Sequence, residues 1–175
     1  MDKVKIVLFT AMVIFLAGCI KKENPTPHIN LFIAALQGNV DEIQKHIKAG
    51  SDLNEKDEYG SSPLIIAITF NKIEAAKALI EAGADLSVSN NEGSTPLHIA
   101  AFLCHIDMVE ALLAKGADKN IKNFSGSTAL GTVEGPFDNV KDIYDSIRKS
   151  LSPLGLRLDY EQIQISRPKI AEMLR

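Results

Sequence analysis

The chain has 175 residues, 46% of them hydrophobic, with 19 Lys and Arg against 22 Asp and Glu and a net charge of −3. No long basic run occurs, which argues against nucleic acid as a partner, and two cysteines are too few for a disulfide framework. The length suits one domain with a hydrophobic core built by packing.

The first element is a basic stretch (Lys3, Lys5) followed by an apolar segment from Ile6 to Ala17, 12 residues long. That is the layout of a secretory signal, and it is too short to span a bilayer, which takes about 20 residues. Leu16-Ala17-Gly18-Cys19 follows directly. The combination resembles the lipobox of bacterial lipoproteins. The resemblance implies a signal peptide over residues 1–18, cleavage before Cys19, and acylation of Cys19 as a membrane anchor. The alternative is an ordinary signal peptide with a chance cysteine. Without residues 1–18 the chain has 157 residues, and loss of Lys3, Lys5 and Asp2 leaves 17 basic and 21 acidic residues, a net charge of −4. With Cys19 lipidated, Cys104 is the one remaining thiol. Residues 19–28 then carry the lipidated cysteine and a polar tether with Pro25 and Pro27, which has no apolar period to join a core.

From residue 29 onward the chain is self-similar at a period of 33. Gly60, Gly93 and Gly126 keep that spacing, as do Gly50, Gly83 and Gly116, then Asp52, Asp85 and Asp118, and Leu31, Leu64, Leu97 and Leu130. Such a period marks a stack of supersecondary units. Pro63 and Pro96 fit the first turn of a helix, where a missing N–H costs nothing. Leu64, Ala67 and Ile68, then Leu97, Ala100 and Ala101, follow the spacing of a buried helix face. A second helix follows in each unit, through Ile73, Ala76, Leu79 and Ile80 or through Ile106, Val109, Leu112 and Leu113. Glycine at 50, 83 and 116 suits a left-handed end to that helix. Asp57–Gly60, Asn90–Gly93 and Asn123–Gly126 read as turn tips between units.

Ser94-Thr95-Pro96-Leu97-His98-Ile99-Ala100-Ala101 and Leu112-Leu113-Ala114-Lys115-Gly116-Ala117-Asp118 closely resemble the two halves of an ankyrin repeat. The resemblance covers residues 29–130. It implies an all-α ankyrin-repeat solenoid of about four helix-turn-helix repeats, the last interrupted by an insertion. The fourth unit opens at Gly126-Ser127-Thr128-Ala129-Leu130, and its second helix returns only at Pro168–Arg175. There Ile170 takes the role of Val109 and Leu174 that of Leu113, so residues 131–167 hold an insertion of about 28 residues. Within it Val140, Ile143, Tyr144, Ile147 and Leu151 form a helical stripe with Asp138 as an N-cap, while Leu154, Leu156, Leu158 and Tyr160 alternate as an extended segment would. The insertion is either an elaborate cap on the last repeat or a second binding element.

Catalytic chemistry is not visible. His28, His46, His98 and His105 are scattered, no Gly-rich phosphate loop occurs, and no serine–histidine–acid set is suggested by spacing. The chain is therefore read as no enzyme, with neither metal nor cofactor. His98 occupies the motif's own histidine place, which implies hydrogen bonds within and between turns. Cys104 stands where Gly38 and Asn71 stand in the preceding units, a place that favours left-handed backbone.

Ankyrin repeats generally bind proteins with their turn tips and the outer side of their first helices. Carried over residue by residue, the resemblance implies a partner-binding face of Glu58, Tyr59, Thr69, Phe70, Asn91, Glu92, Phe102, Leu103 and Phe124, extended by Ser61, Ser94, Ser125, Ser127, Leu36 and Gln37. The aromatic residues in this set suit interface anchors, the alternative being that Phe70 and Phe102 fill gaps between helices. The expectation is a membrane-anchored, non-catalytic protein-binding module in the bacterial envelope. Ile20, where aspartate would favour inner-membrane retention, points to the outer membrane facing the periplasm. Such a module is an adaptor, or an immunity protein that inhibits a toxic partner such as a phospholipase. Alternatives are support of a periplasmic enzyme such as catalase, a redox or ligand-handling role through Cys104, and a structural spacer without a partner.

Overall fold

The structure is a computed structural model that describes residues 26–175. The signal segment, Cys19 and the start of the tether lie outside the described residues. Eight α-helices and no strand occur among the described residues. They are α1 (Leu31–Gln37), α2 (Val40–Ala49), α3 (Pro63–Thr69), α4 (Ile73–Glu81), α5 (Pro96–Phe102), α6 (Ile106–Ala114), α7 (Lys141–Leu151) and α8 (Tyr160–Leu174).

Helices this short are marginal alone and gain their stability from packing. Several are started by a local device. Asn30 accepts from the Phe32 N–H at 2.7 Å and Asn39 from the Glu42 N–H at 3.2 Å. Ser62 accepts from the Ile65 N–H at 3.3 Å, with Pro63 opening α3. Thr95 and His98 form a reciprocal capping box at the start of α5. The apolar period then stacks the units: α1 on α3 on α5 forms an inner row, and α2 on α4 on α6 an outer row. Leu64, Ala67, Ile68, Leu97, Ala100 and Ala101 are buried between the rows. The alanines at these positions let the thin units approach closely.

The turn tips repeat as faithfully as the helices. Asp57, Asn90 and Asn123 donate their N–H groups to the carbonyls of Ser61, Ser94 and Ser127 at 2.9–3.1 Å. Adjacent tips are joined by Asn91 N–H to the Tyr59 carbonyl and Phe124 N–H to the Glu92 carbonyl, each at 3.0 Å. The second bond explains Gly93. Its φ is 75°, and a Cβ there would lie 2.9 Å from the Phe124 nitrogen.

In the fourth unit the first helix shrinks to a single 3₁₀ turn, Leu130–Thr132, stacked on α5. The closing helix is longer than the 168–175 expected from sequence. It begins at Tyr160, capped by Asp159, whose carboxylate accepts from the Gln162 N–H at 3.1 Å. Pro168 therefore lies inside the helix rather than at its start. Residues 154–160, expected to be extended, instead form the end of a 3₁₀ turn at Leu154, a connection, and the first residue of α8. α8 packs on α6, with Ile170, Ala171 and Leu174 buried in the main core.

Candidate functional site

The inner row and the insertion enclose a groove of about 470 Å³. Its floor is apolar and comes from three consecutive units: Phe32, Ile33 and Leu36 from α1, Ile66 and Phe70 from α3 and its end, and Ile99 and Phe102 from α5. The turn tips form one wall through Asp57, Tyr59, Ser61, Asn90 and Glu92. The opposite wall is Ile147, Leu151 and Leu154 from α7 and the turn after it. Both charged side chains lining the groove among the described residues are carboxylates, Asp57 and Glu92.

The wall from the insertion is held by a second apolar cluster. Leu103, Tyr144 and Ile163 are buried together, with Phe102, Phe137, Val140 and Tyr160 packed around them. The Tyr144 ring lies 4.4 Å from that of Phe102, nearly parallel at 12°, and 5.6 Å from that of Phe137. The Tyr144 hydroxyl donates to the Phe102 carbonyl. Arg167 of α8 is buried beneath this cluster and gathers the loop before α7. It donates to the Thr132 and Glu134 carbonyls at 3.3 Å, to that of Gly135 at 3.4 Å, and to the Tyr144 hydroxyl at 3.4 Å. Burial and the neighbouring Cys104 raise the tyrosine pKa against the opposing pull of Arg167.

Six of the nine residues expected on the face line this groove: Tyr59, Thr69, Phe70, Glu92, Phe102 and Leu103. Tyr59 is 68% exposed at the mouth. Thr69 is half-buried, and its hydroxyl donates to the Ile65 carbonyl at 2.8 Å. Glu92 is exposed and accepts from Asn90 Nδ2 at 2.6 Å. Phe102 is half-buried because one face of its ring is taken by Tyr144. Leu103 departs from the expectation. It is only 5% exposed, packed against Tyr144 and Ile163, so its role is to seat the insertion.

The other three lie outside the groove. Glu58 and Asn91 are exposed on the tips, where Asn91 Nδ2 donates to the Glu58 carbonyl at 3.0 Å. That bond commits the Asn91 side chain to joining the tips. Phe124 is 81% exposed and lies against Gly93 on the tip beyond. Cys19 falls outside the described residues. Sequence reasoning missed Ile147, Leu151 and Leu154 as a wall. The helical stripe through Ile147 and Leu151 was visible, but the surface it faces depends on non-local packing. Arg167 gave no local signal.

His98 bridges two units. Its Nδ1 lies 2.8 Å from the Thr95 hydroxyl and its Nε2 lies 3.0 Å from the Ser127 carbonyl, and burial lowers its pKa. Cys104 has a left-handed φ of 61°, as Asn71 does at 52°. Its Sγ lies 3.7 Å from the Phe102 and Ile163 carbonyls, and burial pushes the thiol up to about 11. A thiol so protonated is a poor nucleophile at neutral pH, so the geometry gives no support to redox work at Cys104. The neighbouring His105 is held down to about 4 by burial, against a smaller opposing effect of the Thr69 carbonyl. No group of three or more His, Cys, Asp or Glu able to hold a metal ion converges among the described residues.

A family model described as ankyrin repeats (3 copies) matches residues 31–123. No curated protein matches the chain.

Proposed function

The chain belongs to the ankyrin-repeat family, a protein–protein interaction module that is generally non-catalytic, and from that premise we propose that it holds a protein partner in its inner groove as an adaptor or inhibitor in the bacterial envelope. The carrying observation is the apolar floor contributed by three successive units, with Tyr59 exposed at its mouth. Apolar anchors surrounded by a polar rim are what a protein interface needs. The anchor is Cys19, acylated after cleavage of residues 1–18, and the sequence around it supports this part of the reading. Several acyl chains on one residue hold a protein to a membrane stably, where one chain does so only marginally. Ile20 favours the outer membrane, with the module facing the periplasm.

Two measurements test the reading. In a Gram-negative host the full chain should take up labelled fatty acid and fractionate with membrane, and Cys19→Ala should lose both. The full chain should also retain a specific envelope or secreted protein that Phe70→Asp does not. Equal retention by both proteins, with the variant's helicity unchanged, would sink the groove as the binding surface.

A further inference from the structure

We propose that the groove takes an amphipathic partner helix of about three turns, lying apolar side down across α1, α3 and α5 with a basic edge toward Asp57 and Glu92. This rests on the protein-binding reading and adds the shape and charge of the occupant.

The helical form follows from where the main-chain hydrogen bonds go. An extended segment over an apolar floor would gain main-chain hydrogen bonds from the protein only at an exposed strand edge, and would otherwise leave its N–H and C=O groups to water and side chains. No strand edge exists among the described residues. The tip backbone is already paired, Asp57 with Ser61, Asn90 with Ser94, and Asn91 with Tyr59. A helix satisfies its own backbone and asks the groove only for apolar contact. The floor spans three stacked helices, two steps of about 8–10 Å each. That is roughly 12 residues of helix at 1.5 Å per residue.

The charge follows from the walls. On the tip side the charged lining is Asp57 and Glu92. The insertion carries Lys141, Arg148 and Lys149, all exposed and absent from the groove lining. Lys141 and Arg148 pair with Asp145 at 3.4 and 3.0 Å, and Arg148 also lies 5.2 Å over the Tyr160 ring. A basic edge is thus attracted to the tips, whereas the charges of residues 137–151 balance, Lys141, Arg148 and Lys149 against Asp138, Asp142 and Asp145, so the tips alone set which flank of the helix is basic. The insertion then works as a clamp: Ile147, Leu151 and Leu154 cover the face of the helix that an open repeat stack would leave in water.

The test is a display library of 16-residue helices, with Leu, Ile or Phe at i, i+3, i+4 and i+7 and random charge on both flanks. It is selected against the full chain in lipid nanodiscs, with empty nanodiscs subtracted. Enrichment of helices with Lys or Arg on one flank is expected. A representative peptide should bind Glu92→Lys about tenfold more weakly, and its Lys→Glu counterpart should bind that variant better than the wild type. Leu154→Glu, at an exposed position, should remove binding while leaving the fold intact. Enrichment of acidic-flanked or unpatterned sequences, no enrichment, or binding unchanged by Leu154→Glu would overturn the proposal. If the chain still retains an envelope protein in a Phe70-dependent way after such a result, the protein-binding reading stands and only the helical occupant falls.

Discussion

Tyr144 lies face to face with Phe102, 4.4 Å between ring centroids, and its hydroxyl donates to the carbonyl of the same residue. One side chain from the insertion thereby holds both the ring and the backbone at the end of α5. Phe102 is also part of the groove floor, so the contact that seats α7 shapes the binding surface.

Tyr144→Ala should destabilise the protein by about 3–5 kcal/mol, the range for deleting a large buried aromatic. Tyr144→Phe keeps the stack and leaves the Phe102 carbonyl only the weak Cys104 thiol as a donor, for a cost of about 1–2 kcal/mol. Denaturant melts measure both. Hydrogen exchange locates them: faster exchange in residues 137–151 than in α1–α4 is the expected pattern.

The glycines of the repeat separate two physical effects. Gly83 and Gly93 both have positive φ, 89° and 75°. A Cβ at Gly83 would meet nothing within 4 Å, whereas at Gly93 it would approach the Phe124 ring to 2.7 Å and its nitrogen to 2.9 Å. Gly83→Ala should therefore cost only the left-handed strain, about 1–2 kcal/mol. Gly93→Ala should cost about 1–3 kcal/mol beyond that from overpacking, and should weaken the Phe124 to Glu92 backbone bond. Equal melting points for the two variants would contradict this.

Stability should peak between about pH 6.5 and 9. As pH falls below the ordinary histidine value, the unfolded chain takes up a proton at residue 105 that the native chain refuses until about 4. Stability present above that range is lost on the way down, by roughly 3 kcal/mol if His105 acts alone. The lowered His98 adds loss of the same sign. At the other end the unfolded Cys104 thiol ionises from 9.0 while the native one holds its proton to about 11, so stability falls as pH rises through that window. His105→Asn should flatten the acid limb of the denaturant midpoint. Burial holds Cys104 as the protonated thiol in the native chain at pH 8. Alkylation followed on its peptide by mass spectrometry should be slow in the native chain and fast in urea.

The repeats were legible in the sequence because their register marks answer local needs. Gly93 must adopt positive φ and Pro96 must open a helix whatever lies elsewhere, while Ala100 is small because neighbouring units stack on it in the same way at every repeat. The strained turn at Cys104 was legible for the same reason. The insertion was legible only in part. The stripe through Tyr144 announced a helix, but not that Tyr144 would cover Phe102 and Leu103 and remove Leu103 from the surface. Alternation from Leu154 to Tyr160 mimicked a strand, and Pro168 mimicked a helix start. Packing on α6 instead favoured a helix from Asp159 onward that absorbs the proline and its one lost i→i−4 bond. Arg167 was silent because its partners are main-chain carbonyls and a tyrosine hydroxyl, none of them marked in sequence.

The most direct measurement is site-specific photo-crosslinking in living cells, with a photoreactive phenylalanine analogue at position 70 in the groove or at position 77 on the outer face of α4. Position 70 should give one discrete adduct with a second protein, lost on adding Leu154→Glu, and position 77 should give none. An adduct at position 77 and none at position 70 would contradict the groove as the surface through which this protein works.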